Sequence, residues 1–218
     1  MRISEIFYSL QGEGALVGTP SVFVRTAGCN LRCEWCDTKY AWEHEAGTEM
    51  SLERIMDEIG RYPAAHAVLT GGEPMIAAGI GDLAEALAAR NLHITIETNL
   101  TRPPRGIKCH LASLSPKIGA PQSRLPDEQL AIAEEWLVSY DCQFKFVLAE
   151  EGQLAAIEDF LARLPVSVST ERIFLMPQAE DERALRERSG MVAELCKRRG
   201  YRFGPRLHLS LFGSGPMV

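Results

Sequence analysis

Basic charge is scarce relative to acid: 23 Lys and Arg stand against 29 Asp and Glu, a formal net charge of -6 at pH 7. Phosphate binding needs a basic footprint, so this balance argues against a general nucleic-acid binder. Long apolar runs are missing too. The opening MRISEIFYSLQGEG holds no apolar stretch of signal-peptide length, and no window approaches the roughly 20 apolar residues that span a bilayer. The expectation is a cytoplasmic protein with no membrane partner. No repeat and no low-complexity linker divides the 218 residues, which suit one domain over 1–218. The basic run Lys197, Arg198, Arg199 falls where a helix should end and there complements the helix dipole.

What is present is enough for a core: 46% of residues are hydrophobic against 24% charged, so disorder is not indicated. Six cysteines could staple a small secreted domain, but three of them lie within eight residues, which in a reducing cytosol reads as metal ligation. Cys109, Cys142 and Cys196 stand alone in apolar contexts and read as small buried hydrophobes.

From about residue 21 onward, strand-like and helix-like periodicities alternate, the pattern of βα units building a mostly parallel sheet. Strands are expected over Ser21 to Thr26, Ala67 to Thr70, His93 to Glu97, His110 to Leu114, Gln143 to Leu148 and Arg172 to Met176. Leu52, Ile55, Met56 and Ile59 form a helical stripe with Ser51 as N-cap. Further helices are expected over Asp82 to Ala89, Glu128 to Val138, Gln153 to Arg163 and Arg183 to Arg199. TNLTRPPRGIK, with Pro103, Pro104 and Gly106, opposes a helix between the third and fourth strands. The fold class is therefore α/β: a single-domain incomplete (β/α)6-type barrel of mostly parallel strands, with that crossover shortened. In such sheets ligands gather at the carboxyl ends of the strands.

Cys29, Cys33 and Cys36 follow the first of these strands, in a loop spanning 28–38, and their CxxxCxxC spacing lets one loop wrap three thiolates around one centre. Soft thiolates suit an iron-sulfur cluster, zinc or copper(I). Three thiolates leave one iron of a [4Fe-4S] cube without a protein ligand, so a small molecule with amino and carboxylate groups can chelate it. The alternative is a non-catalytic zinc module completed by a residue such as His44. Thr70-Gly71-Gly72-Glu73-Pro74 ends the second strand; its glycines permit close backbone approach and Glu73 offers an acceptor to an ammonium, although a plain turn would look the same.

CNLRCEWCDT after FYSLQGEGALVGTPSVFVRTAG resembles the radical S-adenosylmethionine (SAM) superfamily and, within it, the 7-carboxy-7-deazaguanine synthase family; the likeness runs from Phe7 to His208. The resemblance implies a [4Fe-4S] cluster on Cys29, Cys33 and Cys36, with SAM contacts from Glu34, Trp35, Cys36, Gly72 and Glu73. It further implies that Ser115, Pro116 and Lys117, after the fourth strand, and Leu175, Met176, Pro177 and Gln178, after the sixth, hold SAM. Ignoring spacing, Lys117 would read as a surface lysine and Met176 as core packing.

Leu10, Gln11, Gly12 and Glu13 lie in LQGEG, which the resemblance places on the substrate. Gln11 and Glu13 could pair with the donor and acceptor edge of a pterin, or belong to an exposed turn. Arg25 interrupts the apolar VFVRT, where an unpaired charge is costly, so a carboxylate partner is expected. The resemblance makes that partner the substrate carboxylate; a structural salt bridge competes. Thr38 looks like the family's Mg2+ ligand, though by itself it reads as a helix cap, and Thr70 is a further substrate contact. One departure is Leu100 in Glu97-Thr98-Asn99-Leu100, where related sequences usually carry glycine. The C-terminal PRLHLSLFGSGPMV could bring His208 or the chain terminus across the open barrel and carries no assigned role.

The implied reaction is the ring contraction of 6-carboxy-5,6,7,8-tetrahydropterin to 7-carboxy-7-deazaguanine with loss of ammonia, on the way to queuosine and related 7-deazapurines. In it the reduced cluster cleaves SAM, and the 5'-deoxyadenosyl radical takes a hydrogen that later returns. No side-chain acid or base is assigned. The partners implied are the pterin, an external reductant such as flavodoxin or ferredoxin, and a second copy in a homodimer. A glycyl-radical-enzyme activase shares the cysteine and GGEP pattern, but LQGEG, Arg25 and CDT favour the pterin.

Overall fold

Six stretches are buried along almost their whole length, as strands covered on both faces of a parallel sheet must be. In a computed structural model that describes residues 1–118 and 126–213, these stretches form the centre of one sheet. The chain runs β1 (Arg2–Leu10), β2 (Pro20–Thr26), β3 (Thr48–Glu49), α1 (Leu52–Ile59), β4 (His66–Gly71), α2 (Ile80–Ala89), β5 (His93–Thr98), β6 (Leu111–Leu114), α3 (Pro126–Ser139), β7 (Cys142–Leu148), α4 (Leu154–Arg163), β8 (Ile173–Pro177), α5 (Glu182–Arg199), β9 (Arg202–Phe203) and α6 (Leu207–Phe212). The strand order is β3-β1-β2-β4-β5-β6-β7-β8-β9, parallel from β2 to β9, with β1 antiparallel to both β2 and β3. The order has two ends, so the barrel is open. Among the described residues no helix is long and apolar enough to cross a membrane.

The six expected strands are β2, β4, β5, β6, β7 and β8. Strands β1, β3 and β9 are additions. In β1 a register shift between Ile3 and Glu5 breaks the period-two alternation that would have announced it. β3 and β9 have two residues each, too few for any period. The Ser51 side chain caps α1 as expected by accepting from the Arg54 amide, but Leu52 is half-exposed and only Ile55, Met56 and Ile59 pack. Lys197, Arg198 and Arg199 do end α5, where they pair with Glu194, Glu151 and Glu158. The chain terminus beyond residue 213 lies outside the described residues.

The crossover from β5 to β6 has no helix, and Leu100 and Ile107 enter the main core in place of one, beside Trp136 of α3. The Trp136 indole N–H donates to the Arg102 carbonyl and ties the loop to α3. Leu100 takes the left-handed conformation, φ 63°, that related glycines adopt freely, and is fully buried. That conformation costs a non-glycine residue about 1–2 kcal/mol, whereas emptying a buried leucine site costs about 2–5 kcal/mol. Leu100→Gly is therefore expected to destabilise the fold by about 2 kcal/mol, the difference between the midpoints of those terms. A urea midpoint at or above wild type would show that strain outweighs packing here.

At the amino ends of β4, β5 and β6, the rings of His66, His93 and His110 lie in a row with centroids 4.8 and 4.9 Å apart. Burial, then the neighbouring His66 and His110, pull the His93 pKa down, against a smaller opposing pull from Asp141. The unfolded chain thus accepts a proton near pH 6.5 that the folded chain resists. Stability is expected to fall as pH drops through about 6.5. His93→Phe should flatten that slope in thermal melts between about pH 5 and 8, and an unchanged slope would clear the row of responsibility.

Candidate functional site

The carboxyl ends of the parallel strands surround a cavity of about 230 Å3. Its first wall is the cysteine loop. Gly28, at φ 101°, turns the chain out of β2, and the Gly28 and Cys29 amides donate to the carbonyls of Ala41 and Trp42. The loop is thereby pinned to the helical turn that follows it. Cys33 is buried, Cys29 and Cys36 are half-buried, and all three line the cavity. The Leu31 and Thr38 amides point at the sulfurs of Cys29 and Cys36, 3.4 Å away. Burial raises the thiol pKa of Cys29 and of Cys33, and for Cys33 the Lys117 ammonium pulls the other way.

Such donors fit an iron-sulfur cluster: thiols on one loop, N–H groups toward sulfur, and a lysine at hand. They fit zinc poorly. Among the described residues no three His, Cys, Asp or Glu side chains converge on a point that would hold one ion, and His44 is exposed. A tetrahedral ion needs its ligands about it at 2.0–2.3 Å, roughly; a cube whose irons each take their own thiolate lets the ligands stand farther apart.

The second wall is the end of β4. The Gly72 amide donates to Thr26, the Glu73 amide to Gly28, and a Cβ placed on Gly72 would stand 2.2 Å from the Gly28 carbonyl oxygen. Glycine is required so that the two loops can touch. Gly72 lines the cavity, but Glu73 does not. Its carboxylate is fully buried and accepts from the amides of Met75 and Asn99 and from the Thr98 hydroxyl. Burial, outweighing these bonds, raises its pKa. Glu73 thus brackets the β4 and β5 loops together, and its carboxylate points away from the cavity that was expected to hold SAM.

Ser115 and Lys117 line the cavity, with Lys117 Nζ donating to Ser115 Oγ and lying 5.5 Å from the Trp35 ring centre. Trp35 also lines it. Six further residues expected at SAM do not border the cavity. Glu34 is exposed on the outside of the loop's lining set, and Pro116 borders a separate small pocket beside Phe146. Leu175, Met176 and Pro177 are buried in β8, and neither they nor the half-buried Gln178 border the cavity. The reason is β9. The Gly204 amide donates to the Leu175 carbonyl, and Gly204 packs so tightly on Met176 that a Cβ would lie 2.5 Å from its Cγ.

Leu10, Gln11, Gly12 and Glu13 all border the cavity, together with Thr70 and Thr38. The Thr38 hydroxyl donates to Asp37 at 2.7 Å, which leaves its oxygen lone pairs for another partner. Arg25 borders the cavity as well, but its expected carboxylate partner is supplied by the chain: Nε donates to Glu5 at 2.6 Å, directly across the β1–β2 pair. The guanidinium lies 5.7 and 5.9 Å from the ring centres of Phe7 and Tyr40. The structural salt bridge is present, and the substrate contact becomes an additional role.

Among the cavity residues given no site role from the sequence are Glu97, Lys145, Arg206 and His208. Lys145, in the middle of β7, bridges Glu13 at 2.9 Å and Glu97 at 2.8 Å. Arg206 pairs with Asp37 and lies 3.4 Å from Glu13, while its Nη1 donates to the Ala179 carbonyl. Burial would raise the Glu13 pKa, but Lys145, Arg206 and His208 together hold it well below the ordinary carboxylate range. Asp37 is lowered likewise, Arg206 overcoming its burial. Burial alone would lower the Lys145 pKa, but Glu13 and Glu97 raise it above the lysine range. Burial pulls His208 down. The signal for Lys145 was available: CQFKFVL is an apolar strand broken by one cation, as VFVRT is.

A Radical SAM superfamily profile matches residues 23–115. A 7-carboxy-7-deazaguanine synthase of Halobacterium salinarum is 40% identical over 99% of this chain and 92% of its own length. Another from Rhodopirellula baltica is 37% identical over 98% and 87%. Among solved structures, QueE from Escherichia coli superposes with a TM-score of 0.71 at 27% identity, covering 95% of this chain and 94% of that one.

Proposed function

Since the chain belongs to the 7-carboxy-7-deazaguanine synthase family of the radical SAM superfamily, we propose that it contracts the ring of 6-carboxy-5,6,7,8-tetrahydropterin to give 7-carboxy-7-deazaguanine, with release of ammonia. The observation that carries this reading is the meeting of the cysteine loop, the LQGEG turn, Arg25 and Thr70 around one cavity. Cys29, Cys33 and Cys36 hold a [4Fe-4S] cluster, which with SAM supplies the radical that begins the reaction.

The chain's own residues bind and orient. Gly72 gives SAM backbone access, Trp35 offers it a flat apolar face, and Ser115 and Lys117 offer it a hydroxyl and a cation. Gln11, Glu13 and Thr70 face the pterin ring, and Arg25, fixed by Glu5, presents a cation to the pterin carboxylate. Thr38 would supply a hydroxyl oxygen to Mg2+, a hard cation suited to oxygen ligands. Arg206 and His208 close the open side over the bound molecules and restrict water. Holding two ligands in one orientation is the largest contribution open to a protein whose cofactors carry the chemistry. Residues 1–218 act as one domain in a cytoplasmic homodimer that takes its electron from a flavodoxin or ferredoxin.

The test is anaerobic reconstitution with iron and sulfide, then incubation with reductant, SAM, Mg2+ and carboxytetrahydropterin, with products read by mass spectrometry. Formation of 7-carboxy-7-deazaguanine is expected. SAM cleavage without that product would overturn the pterin assignment and keep the radical enzyme.

A further inference from the structure

Lys145 is a buried cation at the cavity wall to which the reading above gives no role. Its side chain is 4% exposed and sits in β7 between Phe144 and Phe146, where a lone ammonium would be costly. Two carboxylates from opposite sides of the cavity meet it: Glu13, from the turn after β1, and Glu97, at the end of β5. The turn is docked onto the same strand, since the Ala15 amide donates to Gln143 and a Cβ on Gly14 would lie 2.3 Å from the Gln143 side chain. Gln143 and Lys145 are two residues apart on one face of β7, one seating the turn and the other neutralising its acid.

Glu97 is the centre of this arrangement. Its Oε1 accepts from Lys145 at 2.8 Å and from Gln11 Nε2 at 3.3 Å, and its Oε2 accepts from the Thr70 hydroxyl at 3.1 Å. An ionised carboxylate has about four acceptor positions, so with three used it keeps one for a ligand donor. Glu97 and Glu13 both border the cavity. Both pair with the same ammonium, and a carboxylate held in an ion pair is an acceptor-only group.

We propose that Lys145 is a positioning and specificity-determining residue, which keeps Glu97 and Glu13 as acceptor-only groups and so selects a ligand edge rich in N–H donors, such as an amino-pyrimidine, over the same ring bearing a carbonyl. The inference rests on the pterin reading above and assigns the wall of the pocket that tells an amino group from an oxo group. Lys145 acts through the two carboxylates and touches no reacting atom.

The experiment compares kcat/KM for carboxytetrahydropterin with that for its analogue carrying a carbonyl in place of the 2-amino group, in wild type, Lys145→Met, Lys145→Arg and Glu97→Gln. Circular dichroism and the visible spectrum of the cluster serve as fold controls. A pocket built to accept from N–H groups should discriminate by about 10^4 or more in wild type. Lys145→Met removes the ammonium that both carboxylates share, and Glu97→Gln puts an amide donor into the wall; each should narrow that ratio by about tenfold or more, mostly through KM, while Lys145→Arg should keep it. If Lys145→Met does not fold, Glu97→Gln decides alone. Folded variants that discriminate as wild type does would overturn the role of Lys145. A wild type that cleaves SAM yet converts neither compound would instead overturn the pterin reading.

Discussion

Cys33→Ala is expected to abolish SAM cleavage and leave the chain folded. Cys33 is 5% exposed and lies in the loop between β2 and the helical turns before α1, outside the packed sheet. Exchanging a small buried thiol for a methyl group there should cost about 1 kcal/mol, an ordinary value for a point substitution. The functional cost is of another kind, because a [4Fe-4S] cluster proposed on Cys29, Cys33 and Cys36 would lose one of its three thiolates. The measurement is iron and sulfide content after anaerobic reconstitution, with 5'-deoxyadenosine formation read beside it. Cluster content and turnover equal to wild type would sink the ligand assignment. Cys109→Ala is the matched control. Burial raises the Cys109 pKa to about 12, it does not border the cavity, and the same assays should read as wild type.

Gly72→Ala is the second large effect. The added methyl would meet only backbone: the Gly28 oxygen at 2.2 Å, the Gly28 carbon at 2.5 Å and the Ala41 oxygen at 2.8 Å. No rotamer change relieves that contact, so the β4 loop and the cysteine loop must move apart. Displacements near 1 Å in a positioned site cost about 10^2 in rate. A fall in kcat/KM of about that size is expected, with a cluster that is lost faster on gel filtration. Gly81→Ala in α2 has open space around it and should be neutral or stabilising by up to about 1 kcal/mol. A Gly72→Ala protein as active as the Gly81→Ala protein would show that the two loops need not touch.

How far the sequence could be read depends on the range of the interaction concerned. The six central strands were legible because burial on both faces leaves continuous apolar runs, and the helix-free crossover because Pro103 and Pro104 announce it. The three cysteines were legible because their whole pattern lies within one loop. Leu100 was recognised as out of place, but whether the loop would change shape or pay the strain was a contest between local sterics and burial in the main core. The structure resolves it for the core.

What was not legible shares a cause. Leu175 to Gln178 were read as SAM contacts from the resemblance, and in the structure they do not border the cavity, with β9 paired to Phe174 and Leu175. Glu73 was taken for a ligand contact because nothing local shows that Thr98 and Asn99 already occupy its oxygens. Arg25 and Lys145 sent the same signal, a cation in an apolar strand, and only one was heard. The partner of each is another strand or turn, 20 residues away for Glu5 and 132 for Glu13. Spacing along the chain cannot pair them.

Arg206 gives the arrangement an order in time. It joins the turn after β1, the cysteine loop and the end of β8, and its partner Asp37 is 169 residues earlier in the chain. At about 5–20 residues per second of synthesis, roughly ten to thirty seconds separate the two residues on the ribosome. Throughout that interval the cysteine thiols have been made while the residue that clamps their loop has not. A nascent chain stalled before residue 206 should therefore expose those thiols to alkylating reagents, and protection should arrive with the last helix.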